Sequence, residues 1–179
     1  MDHDEDVTLM MAFQQGDERA FDTLYRKHAP ALSRYFWRST FSAPLSEEMV
    51  QETFLKIHRY KESYQPRAGF RTYLYMVARS ILLNNWRGLQ NSRLQADLDE
   101  DLPLGGSSDM DDEIARREDL RRVQAALTTL PERQATALLL VRGEGLSYED
   151  AAQTMGLSVS ALKSLLNRAR NLLAEKVLP

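Results

Sequence analysis

Apolar residues along the chain recur at spacings of three and four, and no stretch sustains the alternation of a half-buried strand. Glycines and prolines fall almost entirely between these periodic segments. The pattern predicts an all-α protein. A first segment, Val7 to Gln15, closes on Gly16, and Asp17 then caps a helix whose Phe21, Leu24, Tyr25, His28 and Leu32 share one face, bent or restarted at Pro30. Ser46 is expected to cap a third helix, with Glu47 and Glu48 in the first turn, where the helix dipole favours carboxylates. Val50, Phe54 and Ile57 form its inward stripe, leaving Glu48, Gln51, Glu52, Leu55, Lys56 and Arg59 outside. Phe70 to Arg87 makes a further long helix. After a gap, Leu120, Val123, Leu127 and Leu130 form a stripe, and Pro131 opens another helix from its first-turn position.

The gap organises the chain. Residues 95–113, QADLDEDLPLGGSSDMDDE, hold eight acids and no base around a Pro/Gly/Ser centre. That is the composition of a solvated, self-repelling tether. The expected layout is two small helical domains, residues 1–94 and 114–179, joined by a flexible acidic linker, the C-terminal domain being a helix-turn-helix.

This layout changes the meaning of the charge. The whole chain has 23 Lys and Arg against 26 Asp and Glu, a formal −3. Without the linker, 18 acids face the 23 bases, and setting aside Asp2, Asp4, Glu5 and Asp6 as an acidic tail leaves 14. Val7 to Leu94 then carries +6 and Ile114 to Pro179 carries +3. Both predicted domains are basic and suited to meet a polyanion.

Composition narrows the chemistry further. There is no cysteine, which excludes disulfides and thiolate metal sites and fits a reducing compartment. The N-terminus is acidic rather than signal-like, and no uninterrupted apolar run, Ala137 to Val141 among them, exceeds six residues, too short to span a membrane. A cytoplasmic protein without membrane insertion is expected. His3, His28 and His58 are scattered, and neither HExxH nor a Gly-rich phosphate loop occurs. Neither an enzyme nor a metal or cofactor site is expected.

The sharpest local pattern is LSYEDAAQTMGLSVSALKSLLNRAR, Leu146 to Arg170. Ser147 can cap a first helix, with Asp150 facing back in a capping box. Ala152 is small where two helices cross, and Gly156 supplies a left-handed turn. Ser158 caps a second helix in which Leu162, Leu166, Ala169 and Leu173 fall on one stripe. Ser160, Lys163, Ser164, Asn167 and Arg168 project elsewhere. Short polar and cationic groups in front of a buried stripe are what a recognition helix needs to reach base edges and phosphates. An amphipathic hairpin with merely solvated cations is the plainer alternative.

The helix Phe70 to Arg87 has Phe70, Leu74, Val77, Ala78 and Ile81 on an expected core face. Arg71, Tyr73, Tyr75, Arg79, Ser80, Asn84, Trp86 and Arg87 are interleaved on the others. Rings beside cations suit single-stranded nucleic acid, since a ring stacks on an unpaired base while guanidinium groups hold the backbone. Half-buried filler explains the aromatics as well.

Taken in order, these stretches resemble the extracytoplasmic-function (ECF) class of bacterial RNA polymerase sigma factors over almost the whole length. FQQGDERAFDTLYRKHAPALSRYF is similar to the opening helices of that family's first domain and SEEMVQETFLKIHR to its polymerase-binding helix. FRTYLYMVARSILLNNWR is similar to the −10 and melting segment, and LTTLPERQATALLLVRGEGLSYEDAAQTMGLSVSALKSLLNRAR to the −35-binding domain. The resemblance implies core RNA polymerase (the β′ coiled-coil, and β) and promoter DNA, as duplex and as non-template single strand, for partners. An anti-sigma factor is implied as a regulatory partner.

It also implies roles. Glu48, Gln51, Glu52, Leu55 and Lys56 would dock on the β′ coiled-coil. The loop Ser63 to Gly69, with Arg67, Arg71, Tyr73, Arg79, Ser80, Asn84 and Arg87, would hold the −10 element, including a flipped base. Ser160, Lys163, Ser164, Asn167 and Arg168 would contact the −35 duplex. Ser80 stands where many relatives have Asn, and Leu165 where many have Arg, departures that bear on the promoter sequence read rather than on the general function. The 19-residue tether spans at most ~65 Å when extended, enough for elements ~50 Å apart. The resemblance further implies that it threads the polymerase active-site and RNA-exit path.

Two other functions fit parts of the pattern. A sigma-like decoy would capture an anti-sigma factor without reading DNA, but Arg71, Arg79, Arg87, Lys163, Arg168 and Arg170 keep cations where a decoy has no use for them. A conventional repressor or activator would use the C-terminal motif alone and leave the polymerase-docking and melting-like stretches without a purpose.

Overall fold

The computed structural model describes residues 2–92 and 125–177, with side chains for 5–86 and 125–175. Among these residues there is no strand, and the chain divides into two compact units, Met1–Glu100 and Asp101–Pro179. The acidic tether 95–113, Leu120 and Val123 lie outside the described residues, as does the side chain of Arg87.

In the first unit, α1 (Asp2–Gln14), α2 (Glu18–Thr40), α3 (Ala43–Arg59) and α4 (Phe70–Ser92) form a helical bundle. In it α1 packs on α2 and α4, and α3 on α2 and α4. Gly16, at φ 105°, makes the turn after α1, a conformation open to glycine at no steric cost. Asp17 caps α2 as expected, its carboxylate accepting from the N–H groups of Arg19 and Ala20 at 3.0 and 3.4 Å. The core is aromatic-rich: Phe13, Tyr35, Phe36 and Phe70 are fully buried beside Leu24, Leu32, Leu74 and Ala78. Each large apolar side chain buried in this way stabilises the fold by about 1.5–3 kcal/mol.

Of the two expectations for Pro30, a bend or a restart, the restart does not occur, α2 running through it. Three local expectations are corrected here. α3 starts at Ala43, not after Ser46, because Ser42 is extended, its Oγ accepts from the Leu45 N–H at 3.4 Å, and Pro44 fits an early helical position where no N–H is needed. Ser46 is therefore buried inside the helix and donates to the Ser42 carbonyl at 2.6 Å, and neither Glu47 nor Glu48 is in the first turn. Tyr75 is a core residue, 1% exposed and edge-on to Tyr35 at 5.3 Å, whereas Val77 is only half-buried. Finally, Asp6 is no tail residue. It is 5% exposed inside α1, accepts from Lys27 Nζ at 2.8 Å and lies 2.9 Å from His28 Nε2.

In the second unit, α5 (Glu132–Leu138) and α6 (Tyr148–Met155) pack on α7 (Val159–Val177). Pro131 stands one place earlier than expected, as the cap of α5. Leu139–Gly143 continues α5 as a π turn, the Glu144 N–H reaching back to the Leu139 carbonyl at 2.9 Å. Leu140, Ala151, Ala152, Met155, Leu162, Leu166 and Ala169 make the core.

Candidate nucleic-acid and polymerase interfaces

The outward face of α3 follows from helical spacing: with Met49, Val50, Thr53, Phe54 and Ile57 buried, the opposite stripe must meet solvent. Glu48, Gln51, Glu52 and Leu55 are exposed and Lys56 is half-buried, as the sequence led one to expect. Leu55 is the outlier: a leucine 68% exposed among charged neighbours gains nothing within the fold.

The residues expected at the −10 element lie along α4 and the loop before it. Arg67 and Asn84 are exposed; Arg71, Tyr73, Arg79 and Ser80 are half-buried. The Arg71 guanidinium sits 5.8 Å from the Tyr75 ring centre, so the buried tyrosine serves as a shelf for the cation. Arg79 Nε is buried without a hydrogen-bond partner in the structure, leaving a charged donor unsatisfied. Lys56 of α3 donates to Ser80 Oγ at 3.1 Å, which joins the two expected surfaces at one seam.

Two features of this unit, the burial of Tyr64 and the reach of Gln14, were missed from sequence, and a third, His28, was placed on the inward face of α2 without its partner Asp6. Tyr64 is 4% exposed, its ring 4.9 Å from that of Tyr73 in an edge-on pair, and its hydroxyl is buried without a partner in the structure. Burial raises the pKa of both phenols above the usual 10.0, that of Tyr64 being raised further by Tyr73, so both remain neutral donors. His28 is 8% exposed, and burial lowers its pKa from the usual 6.5, with Asp6 opposing and Lys27 and Arg71 adding to the fall. Gln14 reaches from the end of α1 to the backbone at the start of the loop, at the Lys61 and Tyr64 carbonyls. The local pattern puts His28 on an apolar face but distinguishes neither Tyr64 nor Gln14, because the partners that define each lie on other elements.

In the second unit the helix-turn-helix forms from the expected parts. Ser147 accepts from the Asp150 N–H at 3.0 Å and donates its hydroxyl to the Asp150 carboxylate at 2.6 Å. Gly156 adopts φ 63°, ψ 40° at the end of α6. The Ala161 N–H donates to Ser158 Oγ at 3.1 Å, capping α7. Ser160, Lys163, Ser164, Asn167 and Arg168 are all exposed, while Leu162, Leu166 and Ala169 are buried. Lys163 Nζ lies 5.7 Å from the ring centre of Tyr148, which steers this cation along the α6–α7 surface. Leu165, between the two faces, is half-buried.

No helix of the described residues is long and apolar enough to cross a membrane. Residues 24–92 match Sigma-70 region 2 and residues 120–173 match Sigma-70 region 4. The chain is similar to the ECF RNA polymerase sigma-E factor of Haemophilus influenzae, with 33% identity over 97% of this chain and 96% of the relative. It is similar also to the RNA polymerase sigma-H factor of Pseudomonas aeruginosa, with 31% identity over 98% and 95%. Its fold is that of CnrH in complex with the cytosolic domain of CnrY (TM-score 0.76, 23% identity, 97% of each chain). It also matches the sigma factor RpoE of Bartonella quintana in complex with the anti-sigma factor NepR (TM-score 0.66, 24% identity, 88% of this chain and 96% of that one). By sequence over nearly its full length, by its two matched regions and by its fold, this chain belongs to the ECF RNA polymerase sigma factors.

Proposed function

We propose that the protein is a dissociable promoter-specificity subunit that directs core RNA polymerase to a set of promoters. In this account the exposed stripe Glu48, Gln51, Glu52, Leu55 and Lys56 docks on the β′ coiled-coil. The Ser63–Gly69 loop and the start of α4, with Arg67, Arg71, Tyr73, Arg79, Ser80, Asn84 and Arg87, take the separated non-template strand of the −10 element. Ser160, Lys163, Ser164, Asn167 and Arg168 read the −35 duplex. Extruding a base from the stack costs a few kcal/mol, and partly covered cations next to neutral phenols suit the offsetting contacts.

The observation that carries this account is the two-faced α7. Ser160, Lys163, Ser164, Asn167 and Arg168 are exposed on it and Leu162, Leu166 and Ala169 are buried behind, an arrangement suited to a recognition helix entering a major groove. Retention of exposed Lys163, Arg168 and Arg170 weighs against the decoy that captures an anti-sigma factor without reading DNA.

Regulation by an anti-sigma factor is part of the proposal. The RpoE of similar fold was solved with the anti-sigma factor NepR, and two separately folded units could both be covered by one inhibitor. The tether 95–113 is proposed to follow the polymerase RNA-exit path, its acids facing basic walls. Replacing those acids by Ser and Gln is expected to alter promoter escape; unchanged escape would leave the charge with no role there. The proposal as a whole is tested by footprinting the reconstituted holoenzyme: protection at both elements and opening at the upstream one nearest the start site is expected, and protection of neither rejects it.

A further inference from the structure

The end of α1 is tied to the loop that leads into α4 by one side chain. Gln14 Nε2 lies 3.0 Å from the Lys61 carbonyl, 3.1 Å from that of Glu62 and 3.1 Å from that of Tyr64. A primary amide has two hydrogens, so one of them is shared between neighbouring carbonyls. These carbonyls belong to a single 3₁₀ turn, Lys61–Ser63, and the residue after it. The turn holds itself by two backbone bonds, Ser63 N–H to Tyr60 O and Tyr64 N–H to Lys61 O, at 3.0 and 3.1 Å.

The contacts around the clamp point the same way. Lys61 Nζ sits 4.4 Å from the Phe13 ring centre and 3.4 Å from Glu18 Oε1, so its side chain is pulled toward α1 and α2 while its carbonyl is held by Gln14. Just beyond, the Tyr64 ring is buried edge-on to Tyr73 of α4 at 4.9 Å. The exposed residues Gln65, Pro66 and Arg67 follow. The loop expected to meet the −10 strand is thus fixed at one end by α4 itself and at the other by Gln14.

We propose that Gln14 is a positioning residue: its amide holds the 61–64 backbone so that the Ser63–Gly69 loop is already in the shape that receives the unpaired −10 strand. The inference rests on the proposed role of that loop. Gln14 touches no DNA in this account; it removes the ordering cost that a slack loop would add on binding.

The test uses Gln14→Glu, which keeps the shape of the side chain but replaces both donor hydrogens by a carboxylate facing three carbonyls. Gln14→Ala, which removes the amide without adding a charge, is carried in parallel. Amide hydrogen exchange is read in the free protein. Affinity of the holoenzyme for a −10 non-template oligonucleotide and of the free protein for a −35 duplex are read beside it. Within residues 61–69, exchange at the hydrogen-bonded amides of Ser63 and Tyr64 is expected to quicken about tenfold, the scale of one net hydrogen bond. Oligonucleotide affinity is expected to fall by a similar factor, with exchange in α2 and α3 and −35 affinity unchanged.

Unaltered exchange at 61–69 overturns the proposal. So does faster exchange with full oligonucleotide affinity, and so does a uniform rise throughout the first unit, which would make Gln14 only structural. Wild-type holoenzyme that ignores the oligonucleotide would instead reject the role given to the loop, and the exchange data would still decide whether Gln14 holds it.

Discussion

Lys56 on α3 donates to the hydroxyl of Ser80 on α4 at 3.1 Å, and Ser80 donates in turn to the Val77 carbonyl at 2.7 Å. One cation of the stripe proposed to dock on polymerase is thus held on the helix proposed to meet the −10 strand. Ser80→Ala removes the acceptor, and because the pair is half-exposed the cost to stability should stay within about 1.5 kcal/mol. The expected outcome is a changed base preference at −10 in transcription from a randomised promoter set, with −35 preference intact. Unchanged −10 preference would remove Ser80 from the −10 site.

Lys163 and Arg168 are exposed on α7, so truncating them leaves no cavity. Lys163→Ala or Arg168→Ala is expected to weaken −35 duplex binding and to lower the slope of log affinity against log salt by about one for each phosphate no longer neutralised. Core polymerase affinity should not change. Tyr148→Leu, which withdraws the ring 5.7 Å from Lys163 Nζ, should give a smaller weakening in the same direction, measured by titration at several salt concentrations.

Leu55 gives the converse case. At 68% exposure its truncation to Ala should move the unfolding free energy by no more than about 0.5 kcal/mol. Core polymerase affinity, measured by competition with the wild-type chain, is expected to fall about tenfold or more if this side chain is an interface anchor. Binding to −35 duplex by the free protein should be unaffected.

His28 makes stability depend on pH. Burial holds its pKa below 6.5, against the pull of Asp6 and with the help of Lys27 and Arg71. Below 6.5 the unfolded chain is protonated at this position and the folded chain still neutral, so the unfolded state binds more protons and stability falls with pH until the lower folded value is reached. Thermal unfolding of the first unit followed from about pH 7.5 to about pH 5.5 should show this decline, and His28→Gln should flatten it. Equal slopes for both proteins would assign the decline to other groups.

Much of this was legible from the chain alone, and the boundary is physical. The C-terminal motif could be placed residue by residue because its determinants are local: Ser147 and Ser158 cap with their own neighbours, and Gly156 needs no partner to adopt φ 63°. The α3 stripe could be read because helical period alone decides which side of a short amphipathic helix faces out. Ser46 misled because Ser42, with Pro44 behind it, was a competing cap four residues earlier. Tyr75 misled because a tyrosine can serve a surface or a core, and only Tyr35, on another helix, decides which. Asp6 read as solvated charge for the same reason, its partners Lys27 and His28 lying on another helix.

Whether this chain gives polymerase its promoter is decided by transcription in vitro from a library of promoter sequences, using core RNA polymerase with and without the protein. Discrete new start sites that share two upstream elements and vanish without the protein are expected. No protein-dependent start, together with no association between the protein and core polymerase, would refute that role.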